Sequence, residues 1–312
     1  MMGKIALLCA GQGSQYPGMG KDLYDDSKAI AEFFQEAESI RPGTLSMMWE
    51  GSVEDLKRTD HTQPALFLAD YAAVMALAEA GITPDGVAGF SLGEIVGLAA
   101  SGILPATEAF RLVCRRGELM QEAATKVQGG MLAVLRCPKE ELEALCEEVG
   151  VYPVNYNCPG QIVVSGTVEK IGTMKEALTE RKVRFVELAV GGPFHTPYMQ
   201  SASDGLRTEL QNGSYHLSPG KCDLYGNQLA APYPQSVEEM VERIALQASH
   251  SVRFEDTLNK MAQEGFDTFI ECGPGTTLSG LVKKTLKDVR IYQVSDVESL
   301  GKTLEALKGD GE

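Results

Sequence analysis

Short apolar runs alternate with longer helical segments along the chain, which predicts an alternation of strands and helices. Residues 4–10 are mostly apolar and are typical of a buried strand. Residues 63–80 are apolar nearly all round, so we expect a central buried helix with Pro64 in its first turn and Gly81 as its C-terminal cap. A late strand, helix and strand are predicted at 268–272, 277–287 and 290–294.

The segment that follows Gln128 has a different order of elements and predicts a small inserted domain. Its strand-like runs lie at 131–137, 151–157, 161–166 and 184–190, and its helical runs lie at 138–149 and 168–182. The resulting order, β-α-β-β-α-β, is the ferredoxin-like pattern. We therefore predict an α/β protein whose large domain, residues 1–127 and 193–312, carries a ferredoxin-like small domain at residues 128–192.

The segment Gly89-Phe90-Ser91-Leu92-Gly93 has the G-x-S-x-G pattern of a nucleophile elbow. A strand-like run at 85–88 precedes it and a helical run from Glu94 follows it, which is the context that this pattern requires. The two flanking glycines permit a strained turn and close strand–helix packing. Such a turn exposes the Ser91 hydroxyl and directs the first helical N–H groups at an oxyanion. An ordinary Gly/Ser turn is the alternative.

A serine nucleophile needs a base, and the chain has four histidines, His61, His195, His216 and His250. In α/β-hydrolase-like chains the histidine follows the serine, which excludes His61. His216 and His250 lie in polar, loop-like segments. His195 lies in a kinked segment at the predicted domain boundary, where small-molecule clefts tend to form. We favour His195 as the base, with a buried structural histidine as the alternative.

Two further segments suggest chemistry and leave alternatives open. The loop Gly11-Gln12-Gly13-Ser14-Gln15 lacks the glycine and lysine spacing of phosphate-binding loops. It either donates a backbone N–H to an oxyanion or forms an ordinary tight turn. Arg115 and Arg116 lie on a helix predicted near 107–125. An arginine there either binds a carboxylate through its planar fork or belongs to a solvated helix face.

Composition excludes several classes of partner and site. The formal net charge is −15 and the pI is about 4.8, which argues against nucleic acid or an anionic membrane as the main partner. The N-terminal apolar run is too short for a signal peptide, and no run approaches the roughly 18 residues of a membrane span. The seven cysteines include no C-x-x-C pair, so we expect reduced thiols in a cytoplasmic protein, without disulfides or a zinc site.

Considered together, these motifs resemble the malonyl-CoA:acyl-carrier-protein transacylase family over nearly the whole chain. The elbow with Glu94 resembles the family's G-H-S-L-G-E segment, and residues 11–15 resemble its G-Q-G-S-Q loop. The other matching motifs, in chain order, are Gln63-Pro64-Ala65-Leu66, Arg116-Gly117 with Met120-Gln121, residues 155–161, Phe194-His195 with Met199, and Gly273-Pro274-Gly275 with Leu278. The resemblance implies an α/β-hydrolase-like large domain that carries the ferredoxin-like insert.

The resemblance also implies roles for individual residues. Ser91 would be the nucleophile and His195 its base. The backbone N–H groups of Gln12 and Leu92 would form the oxyanion hole, and Arg116 would bind the malonyl carboxylate. The main-chain carbonyl of Arg253 would orient the histidine and so take the place of a triad acid. The implied substrate-site residues are Gln63, Phe90, Asn157 and Phe194.

The implied reaction is a ping-pong transfer of a malonyl group from coenzyme A to the pantetheine thiol of acyl-carrier protein, for fatty-acid synthesis. One thioester replaces another, so we expect no metal and no cofactor. Family members are usually monomeric, which implies a monomer here. Lys283 and Lys284 form our candidate docking site for the acidic carrier protein, with a solvated helix face as the alternative.

Two residues depart from the family pattern: Ala10, where the family often has proline and only the loop is affected, and Phe90, which leaves selectivity open. Position 90 is phenylalanine where the family usually has histidine, and it flanks the nucleophile. Phe194 before His195 is a feature of malonyl-selective members. The alternative functions are a serine thioester hydrolase or editing enzyme and an acyltransferase of a polyketide pathway. A third alternative is a non-catalytic binding module, and the presence of both Ser91 and His195 argues against it.

Overall fold

The structure is a computed structural model that describes residues 3–309. Its strands are β1 (Lys4–Cys9), β2 (Gly86–Gly89), β3 (Gly129–Leu135), β4 (Tyr152–Cys158), β5 (Gln161–Thr167), β6 (Arg184–Glu187), β7 (Asp223–Gly226), β8 (Ala231–Pro232), β9 (Phe266–Cys272) and β10 (Arg290–Val294). Its helices are α1 (Lys21–Asp26), α2 (Lys28–Ile40), α3 (Thr44–Glu50), α4 (Thr59–Glu79), α5 (Leu92–Ala100), α6 (Ala106–Lys126), α7 (Lys139–Val149), α8 (Val168–Glu180), α9 (Gln200–Gln211), α10 (Val237–Leu246), α11 (Phe254–Gln263), α12 (Thr277–Thr285) and α13 (Val297–Gly309). Short 3-10 turns lie at Asp55–Lys57, Pro197–Met199 and Gln247–Ser249.

The larger sheet has six strands in the order β10-β9-β1-β2-β7-β8. All neighbouring strands are parallel except β7 and β8, which are antiparallel. Both faces are covered: Leu7 packs into a core that includes α4, and Leu8 packs into a second core with α11 and α12. Cys9 pairs with Gly89 on one side and Cys272 on the other. The loops after β1, β2 and β9 therefore leave one edge of the sheet, the edge at which ligands bind in open α/β folds.

The smaller sheet has four antiparallel strands in the order β4-β5-β3-β6. Helices α7 and α8 pack on it around a separate apolar core that includes Leu132, Val164 and Met174. The predicted element order β-α-β-β-α-β is confirmed. A bridge between Asn155 and Val252 connects this sheet to the residues that precede α11.

Helix α4 begins earlier than the sequence pattern predicts. It starts at Thr59 rather than residue 63, so Pro64 lies inside the helix and not in its first turn. Proline costs one backbone hydrogen bond there, and 15 of the 21 helix residues are buried, so packing outweighs that loss. The predicted cap is confirmed: Gly81 has φ +83° and donates to the Ala78 carbonyl at 3.0 Å.

The fourth strand of the smaller sheet ends earlier than predicted. Strand β6 ends at Glu187, whereas the apolar run extends to Val190. The Leu188 N–H still donates to the Met131 carbonyl of β3 at 3.0 Å, and Leu188 and Val190 line a cavity beside Ser91. The apolar run therefore continues from the strand into the cavity wall.

The described part of the chain contains no helix that is long and apolar enough to cross a membrane. All seven cysteines are free thiols. Within residues 3–309, no group of three or more histidine, cysteine, aspartate or glutamate residues is arranged to hold a metal ion.

Candidate active site

Ser91 occupies the sharp turn between β2 and α5. Its backbone angles, φ 54° and ψ −107°, lie outside the regions that non-glycine residues usually adopt, at a cost of about 1–3 kcal/mol. The flanking glycines allow close packing: an ideal Cβ on Gly89 would lie 2.0 Å from the Gly93 carbonyl carbon, and one on Gly93 would lie 2.2 Å from the Cys9 carbonyl oxygen. The strand–turn–helix context predicted for this segment is confirmed.

His195 lies within hydrogen-bond distance of this serine. Its Nε2 atom is 2.8 Å from Ser91 Oγ, and its Nδ1 atom is 3.1 Å from the Gln247 carbonyl oxygen and 3.0 Å from the His250 carbonyl oxygen. Carbonyl oxygens only accept hydrogen bonds, so in the neutral ring Nδ1 carries the proton and Nε2 accepts from the serine hydroxyl. This tautomer is the one that a general base needs.

The electrostatic environment keeps this imidazole neutral. His195 is 5% exposed, and its backbone φ of 61° is also in the left-handed region. Burial, and then the positive charge of Arg116, lower the pKa of His195 to about 4, against the opposing effect of its two carbonyl hydrogen bonds. At neutral pH the ring can therefore accept a proton.

The histidine-orienting carbonyl is not the one predicted. The carbonyl of Arg253 instead accepts hydrogen bonds from the backbone N–H and the hydroxyl of Thr257, each at 3.0 Å. Arg253 immediately precedes α11, so its carbonyl belongs to the first turn of that helix. The carbonyls that reach His195 belong to Gln247 and His250, in and just after a 3-10 turn.

Arg116 projects from α6 towards Ser91 and is 1% exposed. Its Nη1 donates to Gln63 Oε1 at 2.7 Å, and its Nε and Nη2 donate to Gln247 Oε1 at 3.1 and 2.6 Å. Nη2 also lies 3.2 Å from Ser91 Oγ. Burial lowers the pKa of Arg116 to about 10, so it remains a cation at neutral pH. No acidic side chain within residues 3–309 forms a salt bridge with Arg116, which leaves this cation able to bind an anionic group beside the serine.

A cavity joins Ser91, His195 and Arg116. Its other lining residues are Gln12, Gln63, Phe90, Leu92, Met120, Met131, Asn155, Leu188, Val190 and Phe194. A second cavity shares four of these residues, Gln12, Phe90, Asn155 and Leu188, and extends to α12. Asn157, a predicted substrate-site residue, lines only the second cavity. The two cavities together connect the serine to the surface near α12.

Gln12 and Leu92 line the Ser91 cavity from two different segments of the chain. Gln12 lies in the loop after β1, and Leu92 is the first residue of α5. Among the described residues, neither backbone N–H donates to a backbone carbonyl or side chain. First-turn N–H groups of a helix are free in this way, and such donors can stabilise an oxyanion.

The chain matches known proteins over its full length. A family model described as an acyl transferase domain matches residues 6–308. The malonyl CoA-acyl carrier protein transacylase of Bacillus subtilis is 38% identical over 318 residues, covering 100% of this chain and 99% of the relative. The chain belongs to the malonyl-CoA:acyl-carrier-protein transacylase family. It is an acyltransferase.

Solved structures of the transacylase family have the same fold. The enzyme of Streptococcus pneumoniae is 38% identical, with a TM-score of 0.90 over 97% of this chain and 100% of that chain. A malonyl-transacylase solved in complex with a type II polyketide-synthase acyl-carrier protein is 32% identical, with a TM-score of 0.91 over 97% of this chain and 99% of that chain.

Two phenylalanines of this transacylase family member line the cavity from different sides. Phe90 packs edge-on against Phe254, with ring centres 5.3 Å apart, and faces both cavities. Phe194, which is 5% exposed, precedes His195 and lines the serine cavity only. The cavity beside Ser91 therefore combines one buried cation with apolar side chains and the amides of Gln63 and Asn155.

Lys283 and Lys284 lie outside the cavities, in the last turn of α12. Lys284 Nζ is 3.5 Å from Gln161 Oε1, and Gln161 lines the second cavity. Leu281, on the same helix, lines that cavity too. Lys284 therefore lies at the rim of the second cavity, whereas Lys283 lines a separate groove with Asp288 and Ile291.

Sequence reasoning missed two amides of this family member's site. Gln247 bridges Arg116, His195 and the Ser91 carbonyl, to which its Nε2 donates at 2.5 Å. Asn227 accepts from the Ser91 N–H at 2.8 Å. Each lies more than 130 residues from Ser91 in sequence. The sequence signal for Gln247 was weak: a glutamine directly after the amphipathic helix α10.

Proposed function

We propose that this protein transfers a malonyl group from coenzyme A to the pantetheine thiol of acyl-carrier protein through a malonyl-Ser91 intermediate. The observation that carries the proposal is the buried Arg116 guanidinium, 3.2 Å from the Ser91 hydroxyl and without an acidic partner within residues 3–309. A cation at that distance from the nucleophile matches an acyl group that bears its own carboxylate. The names of the relatives support the same substrate.

In the first half-reaction, Ser91 Oγ attacks the thioester carbonyl carbon while His195 Nε2 accepts the hydroxyl proton. The C–O bond to serine forms, and the carbonyl becomes a tetrahedral oxyanion. The C–S bond then breaks as His195 returns the proton to the coenzyme A thiolate. A positioned acid/base of this kind contributes about 10² to 10⁴ in rate.

The oxyanion is stabilised by the backbone N–H groups of Gln12 and Leu92 in this proposal. The free state of both donors and their places in the cavity support it. Each such donor contributes about 10² to 10³ in rate. In the second half-reaction the pantetheine thiol attacks malonyl-Ser91, and the same groups act in reverse order.

The activity is expected to depend on pH through the protonation state of the His195 imidazole. Because the pKa of His195 is lowered to about 4, kcat/KM for malonyl-CoA should be flat from neutral pH down to about pH 5 and fall below that. The sign follows from the chemistry, since protonation at low pH removes the base. Stopped-flow acylation with malonyl-CoA across this range checks the profile, and an acidic limb centred near pH 6.5 would contradict the proposed environment of His195.

We propose that the carrier protein docks on Lys283 and Lys284, from where the pantetheine arm reaches Ser91 along the second cavity. Charge reversal of both residues, Lys283→Glu with Lys284→Glu, should raise KM for acyl-carrier protein by about tenfold or more, and most strongly at low salt. Steady-state transfer kinetics against carrier-protein concentration measure this. A matched reversal at two exposed lysines elsewhere, Lys28→Glu with Lys302→Glu, controls for net charge.

The malonyl-enzyme half-reaction separates docking from catalysis. It uses malonyl-CoA alone, so both double variants should acylate at the wild-type rate. An unchanged KM for the carrier protein in the Lys283 and Lys284 variant would refute this docking surface.

We further propose the finer description of the fold: an α/β-hydrolase-like large domain, residues 1–127 and 193–312, with a ferredoxin-like domain inserted at residues 128–192. The parallel order of the larger sheet, the elbow after β2 and the strand order of the smaller sheet support it. We also propose a cytoplasmic monomer that uses no metal or cofactor and does not bind nucleic acid. The free thiols and the net charge of −15 support this.

An acyl-CoA panel tests the proposed function directly. With malonyl-, methylmalonyl- and acetyl-CoA as donors, we expect malonyl transfer to the carrier protein to be fastest and hydrolysis to be slow for every donor. A hydrolysis rate that exceeds transfer would favour the thioester hydrolase. Equal transfer of all three donors would argue against a carboxylate site at Arg116.

A further inference from the structure

One side chain outside both cavities holds the serine turn together. Asn227, which follows β7, is 2% exposed. Its Oδ1 accepts from the Ser91 N–H at 2.8 Å, and its Nδ2 donates to the Gly89 carbonyl at 2.5 Å. A carboxamide can accept on one side and donate on the other, so Asn227 satisfies one backbone donor and one backbone acceptor of the serine turn.

Asn227 is itself fixed by a buried network. Its backbone N–H donates to Glu94 Oε2 at 2.9 Å, and Glu94 Oε1 accepts from the Tyr233 hydroxyl. Glu94 lies in the first turn of α5, three residues after the serine. Arg243 lies over the Tyr233 ring, 5.5 Å from its centre, and donates to the Pro232 carbonyl at 2.7 Å. The network therefore connects the helix that follows the nucleophile to the strand end that carries Asn227.

We propose that Asn227 is a positioning residue that holds Ser91 Oγ in line with His195 Nε2, with Glu94 and Tyr233 fixing Asn227. The inference rests on the proposed function, in which Ser91 is the nucleophile. The strained φ of Ser91 persists only if its surroundings enforce it. Asn227 bonds the Ser91 N–H and the Gly89 carbonyl, and Gln247 Nε2 bonds the Ser91 carbonyl. Relaxation of this turn displaces the hydroxyl, and a misplacement of about 1 Å costs about 10²-fold in rate.

The first test is Asn227→Ala, assayed by rapid-quench mass spectrometry of malonyl-enzyme formation. We expect the maximal acylation rate to fall by about 10²-fold. The KM for malonyl-CoA should stay within about twofold of wild type, because Arg116 and the cavity walls are untouched. Tyr225→Phe is the control: Tyr225 lies on β7, and its hydroxyl bonds Glu264, away from the serine. A folded Asn227→Ala protein with the wild-type acylation rate would overturn the proposal.

The second test, Asn227→Asp, examines the positioning role of Asn227 even if the alanine variant does not fold. A protonated carboxyl at this position can donate to the Gly89 carbonyl, whereas a carboxylate can only accept. The ratio of the variant's acylation rate to that of wild type should therefore rise about tenfold or more as the pH falls from about 8 to about 5.5. The ratio cancels contributions that both proteins share, from Tyr233, Arg116, Arg243 and His195. Glu94 faces the new carboxyl, and its negative charge raises the pKa of that carboxyl, which favours the protonated, donating form.

The outcomes separate this inference from the function on which it rests. A pH-independent ratio for Asn227→Asp refutes the positioning role. A wild-type protein that forms no adduct on Ser91 refutes the proposed function instead.

Discussion

Replacement of Ser91 by alanine is expected to abolish the malonyl-enzyme and to lower malonyl transfer by about 10⁶-fold. The Ser91 hydroxyl lies 2.8 Å from the only nitrogen of His195 that can accept its proton, and 3.2 Å from the Arg116 guanidinium. Without this oxygen, no nucleophile lies between His195, the proposed base, and Arg116, the proposed carboxylate site. Intact-protein mass spectrometry after mixing with malonyl-CoA measures the adduct, and a carrier-protein transfer assay measures the rate.

The control for this variant is Ser101→Ala, at the other end of α5. Ser101 is buried, and its hydroxyl lies 3.4 Å from the Leu98 carbonyl, so its loss tests for damage to the helix without touching the cavity. We expect a wild-type adduct and rate. A malonyl adduct that persists in Ser91→Ala would assign the nucleophile to another residue.

The serine turn was predictable from sequence because its causes are local. The turn needs a short apolar strand, a residue at positive φ and small neighbours on both sides, and all of these lie within residues 85–97. The close contacts of Gly89 and Gly93 are the physical reason that the pattern contains glycine at those two positions. For the same reason the order of strands and helices along residues 128–192 was predictable from local runs of apolar and turn residues.

The bonds that complete the site were not predictable in this way, because they are long-range. The acceptors for His195 depend on where folding places the 3-10 turn at Gln247–Ser249, and the carbonyls of Gln247 and His250 lie only a few residues before the predicted Arg253. Asn227 contacts Ser91 from 136 positions away. No local propensity marks a single buried amide, since its role depends only on the groups that folding brings to it.

The predicted start of α4 and the predicted end of β6 were wrong for a related reason. Helix α4 extends through Pro64 because its buried face outweighs the missing hydrogen bond, and the apolar run after Glu187 lines the cavity beside Ser91 rather than extending β6 to Val190. Both are cases in which tertiary packing overrides a local signal. The segments around Pro64 and Glu187 are also places where this chain differs from the general pattern. Phe90 is a third such place, and its ring packs on Phe254 at the junction of the two cavities.

Replacement of Arg116 by alanine is expected to lower kcat/KM for malonyl-CoA by about 10³-fold while leaving acetyl-CoA as good a donor as before, or a better one. Loss of one partner from a buried charged pair costs about 2–5 kcal/mol, which corresponds to roughly 30-fold to 5 × 10³-fold in kcat/KM. An acetyl group has no carboxylate to lose. Competition between the two donors in one reaction, followed by mass spectrometry of the acyl-enzyme, measures the malonyl-to-acetyl ratio directly.

The chain provides a matched control at the adjacent position. Arg115 lies on the same helix but is exposed and pairs with Glu118 at 3.0 Å, so Arg115→Ala removes the same charge without touching the cavity and should leave the ratio unchanged. Arg116→Lys keeps the charge but cannot bond Gln63, Gln247 and a carboxylate at once, so we expect an intermediate ratio. If Arg116→Ala retained the wild-type preference for malonyl-CoA, the carboxylate would have to be bound elsewhere, and the specificity of this site would follow from its shape rather than from its buried cation.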